Sequence, residues 1–308
     1  MFLNQKLQSI IVSRNEMVEG LFGMVFLHLF EVIPILENEN IDIDSLYWNI
    51  TTKHYGAIFP NILEYNSKYP RNRFQIKKRI KFSTLRKRKP QYVLGDNFAE
   101  LNNLFFKYFR IPKALDDIAT SYNLGGFLGI HYRGTDKVNH YDNTTLIKQD
   151  FYKIMDSYIT HHKITKIFVA SDESDILDYF KSKYPEIELK SSRSFDHVFP
   201  HQSNPDTEKN AMEAMVDMLC LSKCNTVLKA SSALSAWAKV INPDLKIFRL
   251  NGLKMFADIP YFPEAYIPLL DKNSSYSEEC NNVLNKVQMG DWSYENSEKF
   301  NGFILKVR

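Results

Sequence analysis

Short apolar runs of four or five residues alternate, in the second half of this chain, with longer stretches whose apolar positions recur every three or four residues. That is the pattern of buried strands separated by amphipathic helices. Gly125-Gly126-Phe127-Leu128-Gly129-Ile130 runs into His131-Tyr132-Arg133-Gly134-Thr135-Asp136-Lys137. An apolar run that breaks off in charged residues predicts a buried strand delivering polar groups to the carboxyl edge of a sheet. Further strands are predicted over 166–170, 187–189, 226–230 and 245–249, and helices over 149–161, 174–184, 210–222 and 233–241, with 196–209 a polar loop. Strands and helices alternating at these lengths specify a parallel sheet wound with helices on both faces.

The first 120 residues are less regular. Residues 10–12 predict a short strand, 13–16 a loop, and Gly20-Leu21-Phe22-Gly23 a glycine turn opening an apolar helix over 24–36. Such a turn lets backbone N–H groups approach a phosphate or sugar, although the spacing also suits a merely structural turn. The aromatic-rich stretch 47–59 reads as core and cleft wall. Residues 97–118 read as helical with a break at Pro112, and Ser121-Tyr122-Asn123 as a linker.

Three strand ends carry polar groups. If the organising run is a strand, Phe127, Gly129, His131 and Arg133 share one face. Arg133 offers a rigid fork of donors suited to a pyrophosphate, Lys137 a movable point charge, and Gly134 room for close backbone approach. Asp172 follows the next strand, while Ser231 and Ser232 follow another and stand where a helix begins. A charged turn, a loop carboxylate and capping serines are each ordinary alone; together on one edge they imply an anionic ligand.

Composition narrows the setting. The 308 residues, 44% hydrophobic and 14% aromatic, suit two globular domains, and a net charge of +3 is too small to imply nucleic-acid binding by the surface as a whole. Charge is nonetheless concentrated: between Lys68 and Lys89 lie eleven basic residues and no acidic one. Such a run is a solvated surface, or a peripheral contact with an anionic membrane or acidic acceptor. Of three cysteines, Cys220 and Cys224 fall four apart in a helical pattern, as buried apolar residues rather than a disulfide or metal pair. No signal peptide or spanning helix is expected, since the most apolar stretch, 17–36, is interrupted by Glu19, His28, Glu31 and Pro34. Asp42-Ile43-Asp44 imitates a D-x-D metal motif without the long apolar strand that should precede it, and no metal is assigned. Tyr179-x-x-x-Lys183 imitates a sugar-nucleotide oxidoreductase pair, but Gly20-x-x-Gly23 does not make the required G-x-G-x-x-G.

H-Y-R-G-T-D-K at 131–137, V-A-S-D-E at 169–173 with Tyr184-Pro185 behind it, D-M-L-C-L-S at 217–222 and K-A-S-S at 229–232 resemble, in order and spacing, successive motifs of the GDP-fucose-dependent fucosyltransferases. That group includes the core α1,6 enzymes, the nodulation enzymes and, more distantly, the protein O-fucosyltransferases. The resemblance covers about 100 residues, with only the glycine turn and helix similar in the first half.

The resemblance implies an inverting, metal-independent glycosyltransferase of GT-B type, an α/β fold of two Rossmann-like domains whose parallel sheets face a cleft. Residues 1–120 would form the acceptor-side domain, 121–270 the nucleotide-sugar domain, and 271–308 an extension packing back on the first. Arg133 would hold the diphosphate, His131 and Asp217 would recognise guanosine, Asp136 and Lys137 would support the site, Asp172 would lie on its nucleoside side, and Ser231 or Ser232 would reach a phosphate. Gly20 and Gly23 complete the donor site. Taken alone, Asp217 reads as an exposed helix acid. Two departures stand out: Gly134 replaces the second of two adjacent arginines, and Tyr141 stands where the core-type enzymes have a catalytic glutamate, so Asp142 beside it is taken as the general base. The donor is GDP-fucose by resemblance, with another GDP-sugar such as a heptose or rhamnose, or a non-catalytic nucleotide- or glycan-binding relative, as alternatives. The expected partners are the GDP-sugar and a glycan or glycoconjugate acceptor, with no cofactor besides. The expected setting is cytoplasmic, in a bacterium or virus.

Overall fold

The computed structural model describes residues 9–17, 21–22, 46–52, 56–57, 62–65, 76–81, 98–134, 148–193, 206–230, 232–250 and 265–267. In the first part, β1 (Ser9–Met17), β2 (Leu46–Thr52), β3 (Gly56–Ala57) and β5 (Ile76–Lys81) form a sheet of order β3-β2-β1-β5. β1 is parallel to both β2 and β5, and β3 closes back antiparallel on β2. β1 runs through Ser13, Arg14, Asn15 and Glu16, where a loop was expected. Ser13 is paired on both edges and Arg14 with β2, while Asn15 and Glu16 fall in the register shift between Arg14 and Met17, so the strand carries these polar residues through an irregularity in its pairing with β2. β2 occupies the aromatic stretch, and β5 lies inside the basic run as the sheet's edge, where lysines discourage further strand pairing. A two-stranded antiparallel pair joins β4 (Glu64–Tyr65) to β6 (Phe109–Arg110).

Helix α1 (Phe98–Tyr108) stops before β6, and α2 (Lys113–Ser121) starts directly after Pro112, whose missing N–H costs nothing at a helix entrance. Ser121 therefore closes a helix instead of beginning the linker, and the chain turns at Asn123, which has φ of 49°. Beyond it the expected rhythm appears almost element for element. The strands are β7 (Leu128–Tyr132), β8 (Lys166–Ser171), β9 (Glu188–Lys190), β10 (Thr226–Lys229), β11 (Lys246–Leu250) and a further β12 (Ala265–Ile267). The helices are α3 (Lys148–His162), α4 (Ser174–Lys183), α5 (Thr207–Ser222) and α6 (Ala233–Ile241).

The six strands form one sheet in the order β12-β11-β10-β7-β8-β9, every neighbouring pair parallel. Counted from β7, this is the doubly wound order in which the first strand lies beside the fourth, so the topological switch point falls between β7 and β10. Alternation along β7 divides the core in two. Leu128, Ile130 and Tyr132 pack with Phe151, Ile154, Ile176 and Phe180 of α3 and α4. Phe127 belongs to the other cluster, with Phe168, Ala170, Val227 and the buried faces of α5 and α6. Gly129 is required here: a Cβ would stand 2.9 Å from Val227 Cγ2 and 3.2 Å from Cys224 Sγ. The second cluster also takes in Leu21, Phe22, Ile62, Leu63, Phe105, Phe109, Leu115 and Ala119. It therefore spans residues on both sides of the expected boundary at 120. Trp237 Nε1 donates to the Phe22 carbonyl at 3.1 Å, and Asn102 Nδ2 donates to the carbonyls of Val240 and Ile241.

Candidate functional site

At the switch point His131 and Lys229 are register partners, and Ala230 N donates to the His131 carbonyl at 2.8 Å. Alternation puts both side chains on the α5 side, because Phe127 and Val227 precede them by four and two residues in the cluster there. Both are buried, His131 to 4% and Lys229 to 2% exposure. His131 Nδ1 has no hydrogen-bond partner among the described residues. Burial holds this imidazole well below the ordinary histidine range, and the positive charges of Lys229, Arg133 and Arg193 push it the same way. It is therefore neutral at pH 7, a ring with one donor and one acceptor nitrogen in a positively charged surrounding.

Asp172 closes the end of β7. Its Oδ1 accepts from Gly134 N at 3.2 Å, tying the turn after β7 to the turn after β8. Ser171 Oγ accepts from Glu173 N at 3.0 Å, so the serine, and not Asp172, shapes the entry to α4. Glu173 is ion-paired with Lys148, which also reaches Asp175 at 2.6 Å. The same glutamate explains the glycine at 134. A Cβ there would press on Glu173 Oε1 and lie 2.5 Å from Tyr132 Cε1, inside a wall made by a tethered carboxylate and a fully buried ring.

Asp217 is not the exposed helix acid its surroundings in the sequence suggest. It lies on the inner face of α5 at 1% exposure, accepting from Arg193 Nε at 2.5 Å and from the Ser192 hydroxyl. Burial raises its carboxyl above the ordinary aspartate range, against the opposing pull of Arg193 and Ser192. Neither Arg193 nor Ser192 was singled out in the sequence. They sit in a polar stretch after β9 with no motif, and only the return of that stretch over α5 gives them a role. Lys229 did carry a signal: it is the one charged residue ending an otherwise apolar strand.

Ser232 takes the N-cap position of α6, but its hydroxyl makes no capping hydrogen bond. Gly20, Gly23, Thr135, Asp136, Lys137, Tyr141, Asp142 and Ser231 lie outside the described residues, as does Asp42-Ile43-Asp44. His131, Arg133, Asp172, Asp217 and Ser232 thus all belong to the sheet's carboxyl edge or the helices entering it. Among the described residues no group of three or more His, Cys, Asp or Glu could hold a metal ion, and no helix is long and apolar enough to cross a membrane. Cys220 and Cys224 are free and buried, and burial raises the Cys220 thiol to about 12, which leaves it an apolar filler. Lys183 Nζ donates to the Tyr179 hydroxyl at 2.9 Å, and both side chains bind Asp156 of α3, so the pair belongs to a polar cluster joining α3 and α4.

No family model matches the chain, and no curated protein matches it in sequence. Solved structures do. The α1,6-fucosyltransferase NodZ soaked with GDP-fucose is similar over 79% of this chain and 95% of its own, at 13% identity and a TM-score of 0.48. NodZ from Bradyrhizobium gives 12% identity and 0.47. A point mutant of Arabidopsis thaliana FUT1 in complex with GDP covers 80% of this chain and 72% of its own at 12% and 0.45, and POFUT1 in complex with GDP covers 59% and 56% at 16% and 0.35. All lie below a TM-score of 0.5, so the chemistry of the site has to carry the functional reading.

Proposed function

We propose that this protein is an inverting, metal-independent glycosyltransferase of GT-B type that moves fucose from GDP-fucose to a hydroxyl of a glycan or glycoconjugate. The observation that carries this reading is the buried, neutral His131 at the switch point, its Nδ1 without a partner among the described residues and surrounded by the positive charges of Arg133, Lys229 and Arg193, within motifs resembling those of the fucosyltransferases. In the reaction the bond from the anomeric carbon to the β-phosphate oxygen breaks and its electrons leave with GDP, while the acceptor oxygen bonds to the opposite face of that carbon. Arg133 stabilises the charge growing on the leaving diphosphate, as a preorganised cation in a partly dry cleft. A carboxylate takes the acceptor's proton, a role proposed for Asp142. His131 and Asp217 read the guanosine, with the guanine N–H donors replacing Arg193 and Ser192 at the Asp217 carboxylate.

A thermal-shift panel with GDP, UDP and NAD tests the nucleotide. GDP at 100 times its Kd should stabilise by about 2.7 kcal/mol, while the other two should do nothing at that concentration. Equal shifts from all three would remove the guanosine assignment. Turnover of GDP-fucose, GDP-heptose and GDP-rhamnose with and without EDTA then tests the sugar and the metal independence. Loss of activity on chelation, restored by a divalent ion, refutes the latter, and binding without turnover of any donor refutes the enzyme.

A further inference from the structure

Resting on that reading of the site, we propose that Glu173, held by Lys148, is a positioning residue for Arg133: from the end of β8 it fixes the turn that aims the guanidinium at the donor's diphosphate. An arginine just past the end of a strand is set by the backbone on either side of it. On one side Tyr132 is fully buried, its ring 4.6 Å from that of Phe151 in α3. On the other, Gly134 is buried and donates its N–H to Asp172 Oδ1 at 3.2 Å. One hydrogen bond at the long end of the usual range is a weak hold. The Glu173 carboxylate supplies the rest, because it occupies the space in which a side chain at 134 would begin.

The start of α4 leaves Glu173 available for this. It stands at the N-cap, yet its side chain makes no capping hydrogen bond, and its own N–H is bound by Ser171 Oγ at 3.0 Å. The carboxylate, 13% exposed, reaches back to the end of β7 and is ion-paired with Lys148, the first residue of α3. Burial raises this carboxyl above the ordinary glutamate range; Lys148 opposes that, while the charges of Asp172 and Asp175 add to it. With three acids in the four positions 172–175, the ammonium of Lys148, shared by Glu173 and Asp175, is what favours a charged carboxylate beside Gly134. Phe151 lies on the same helix as Lys148, so the contacts close on themselves. They run from Tyr132 to Phe151, along α3 to Lys148, across to Glu173 and back to Gly134. Arg133 sits in the gap of that ring, between Tyr132 and Gly134. A misplacement of about 1 Å in a group that meets the reacting atoms costs about 100-fold in rate, so a ring of contacts around this turn bears directly on the chemistry.

A double-mutant cycle between Glu173→Ala and Arg133→Ala tests this, read by calorimetric titration of GDP and by kcat with GDP-fucose, alongside melting temperature. Glu173→Ala should weaken GDP by about 10-fold and lower kcat by about 10- to 100-fold. Added to Arg133→Ala it should change neither any further, because a residue that acts through Arg133 then has nothing left to position. Glu173→Gln, which still fills the space beside Gly134, should keep most of the turnover. A glutamate that serves stability alone would lower the melting temperature and leave the cycle additive. No loss in Glu173→Ala, or losses of equal size with and without Arg133, overturn the positioning role and leave the proposed function standing. A wild type that binds GDP but turns over no GDP-sugar removes the enzyme, and the cycle in GDP affinity still decides the role of Glu173. A wild type that binds no GDP overturns both. Where Glu173→Ala does not fold, Lys148→Met releases the same carboxylate from a side chain 34% exposed. The same cycle with Arg133→Ala then decides, an additive result refuting the positioning.

Discussion

Arg193→Met separates the buried ion pair of Asp217 from the rest of the site. The two side chains are 11% and 2% exposed, and the guanidinium Nε stands 2.5 Å from the carboxylate. Removing the cation leaves a buried carboxylate held by the Ser192 hydroxyl. Breaking a pair of this kind costs about 3–5 kcal/mol, most of it the uncompensated charge. The pH dependence follows from the sign of the shift. Burial already holds the folded carboxyl of Asp217 above its ordinary value, and Arg193 opposes that. Without Arg193 the folded pKa climbs further, so the folded state takes up a proton before the unfolded chain does. Stability is then regained as pH falls through the folded pKa toward the unfolded value of about 3.9, at about 1.36 kcal/mol per unit of difference. Urea unfolding should therefore show the full deficit at pH 7.5 and a smaller one at pH 5. Arg193→Met combined with Asp217→Asn should recover much of the loss, since no unpaired charge is left. A deficit under about 1 kcal/mol, equal at both pH values, would show that the pair is neither buried nor formed in solution.

Arg133→Ala should lower turnover by about 10²–10³-fold with little change in melting temperature, and Arg133→Lys should rescue little of it, because an ammonium lacks the two-point grip; kcat and KM with GDP-fucose check this, and normal turnover in either variant refutes the role. Gly134→Ala should cost about 1–3 kcal/mol by forcing Glu173 and Tyr132 aside, a loss that chemical denaturation would detect and that an unchanged midpoint would contradict. Reversing the charges at Arg86, Lys87 and Arg88 should weaken cosedimentation with anionic liposomes, by up to about 1 kcal/mol per residue, and undiminished binding would make the run an ordinary solvated segment.

The alternation of short apolar runs with helical periods was enough, by itself, to determine five of the six strands of the larger sheet, with β12 unforeseen. β7, β8 and β10 and the helices α3 to α6 fall where the pattern puts them, because strands buried on both faces admit little but aliphatic residues and the helices between them must each hide one side. The first sheet was less legible. β1 runs on through Ser13 to Glu16 because pairing with β2 resumes at Met17 beyond a register shift, and β5 draws a strand out of a run that reads locally as solvated charge. The same division holds at the site. His131, Arg133 and Asp172 announce themselves as polar residues at the ends of apolar runs, since polarity at such a point is visible one strand at a time. Burial of Asp217 and its pairing with Arg193, the closing of position 134 by Glu173, and the meeting of Lys229 with His131 depend on which strands and loops become neighbours. Only the tertiary structure decided these, because contacts between residues tens of positions apart leave no periodic trace in the chain.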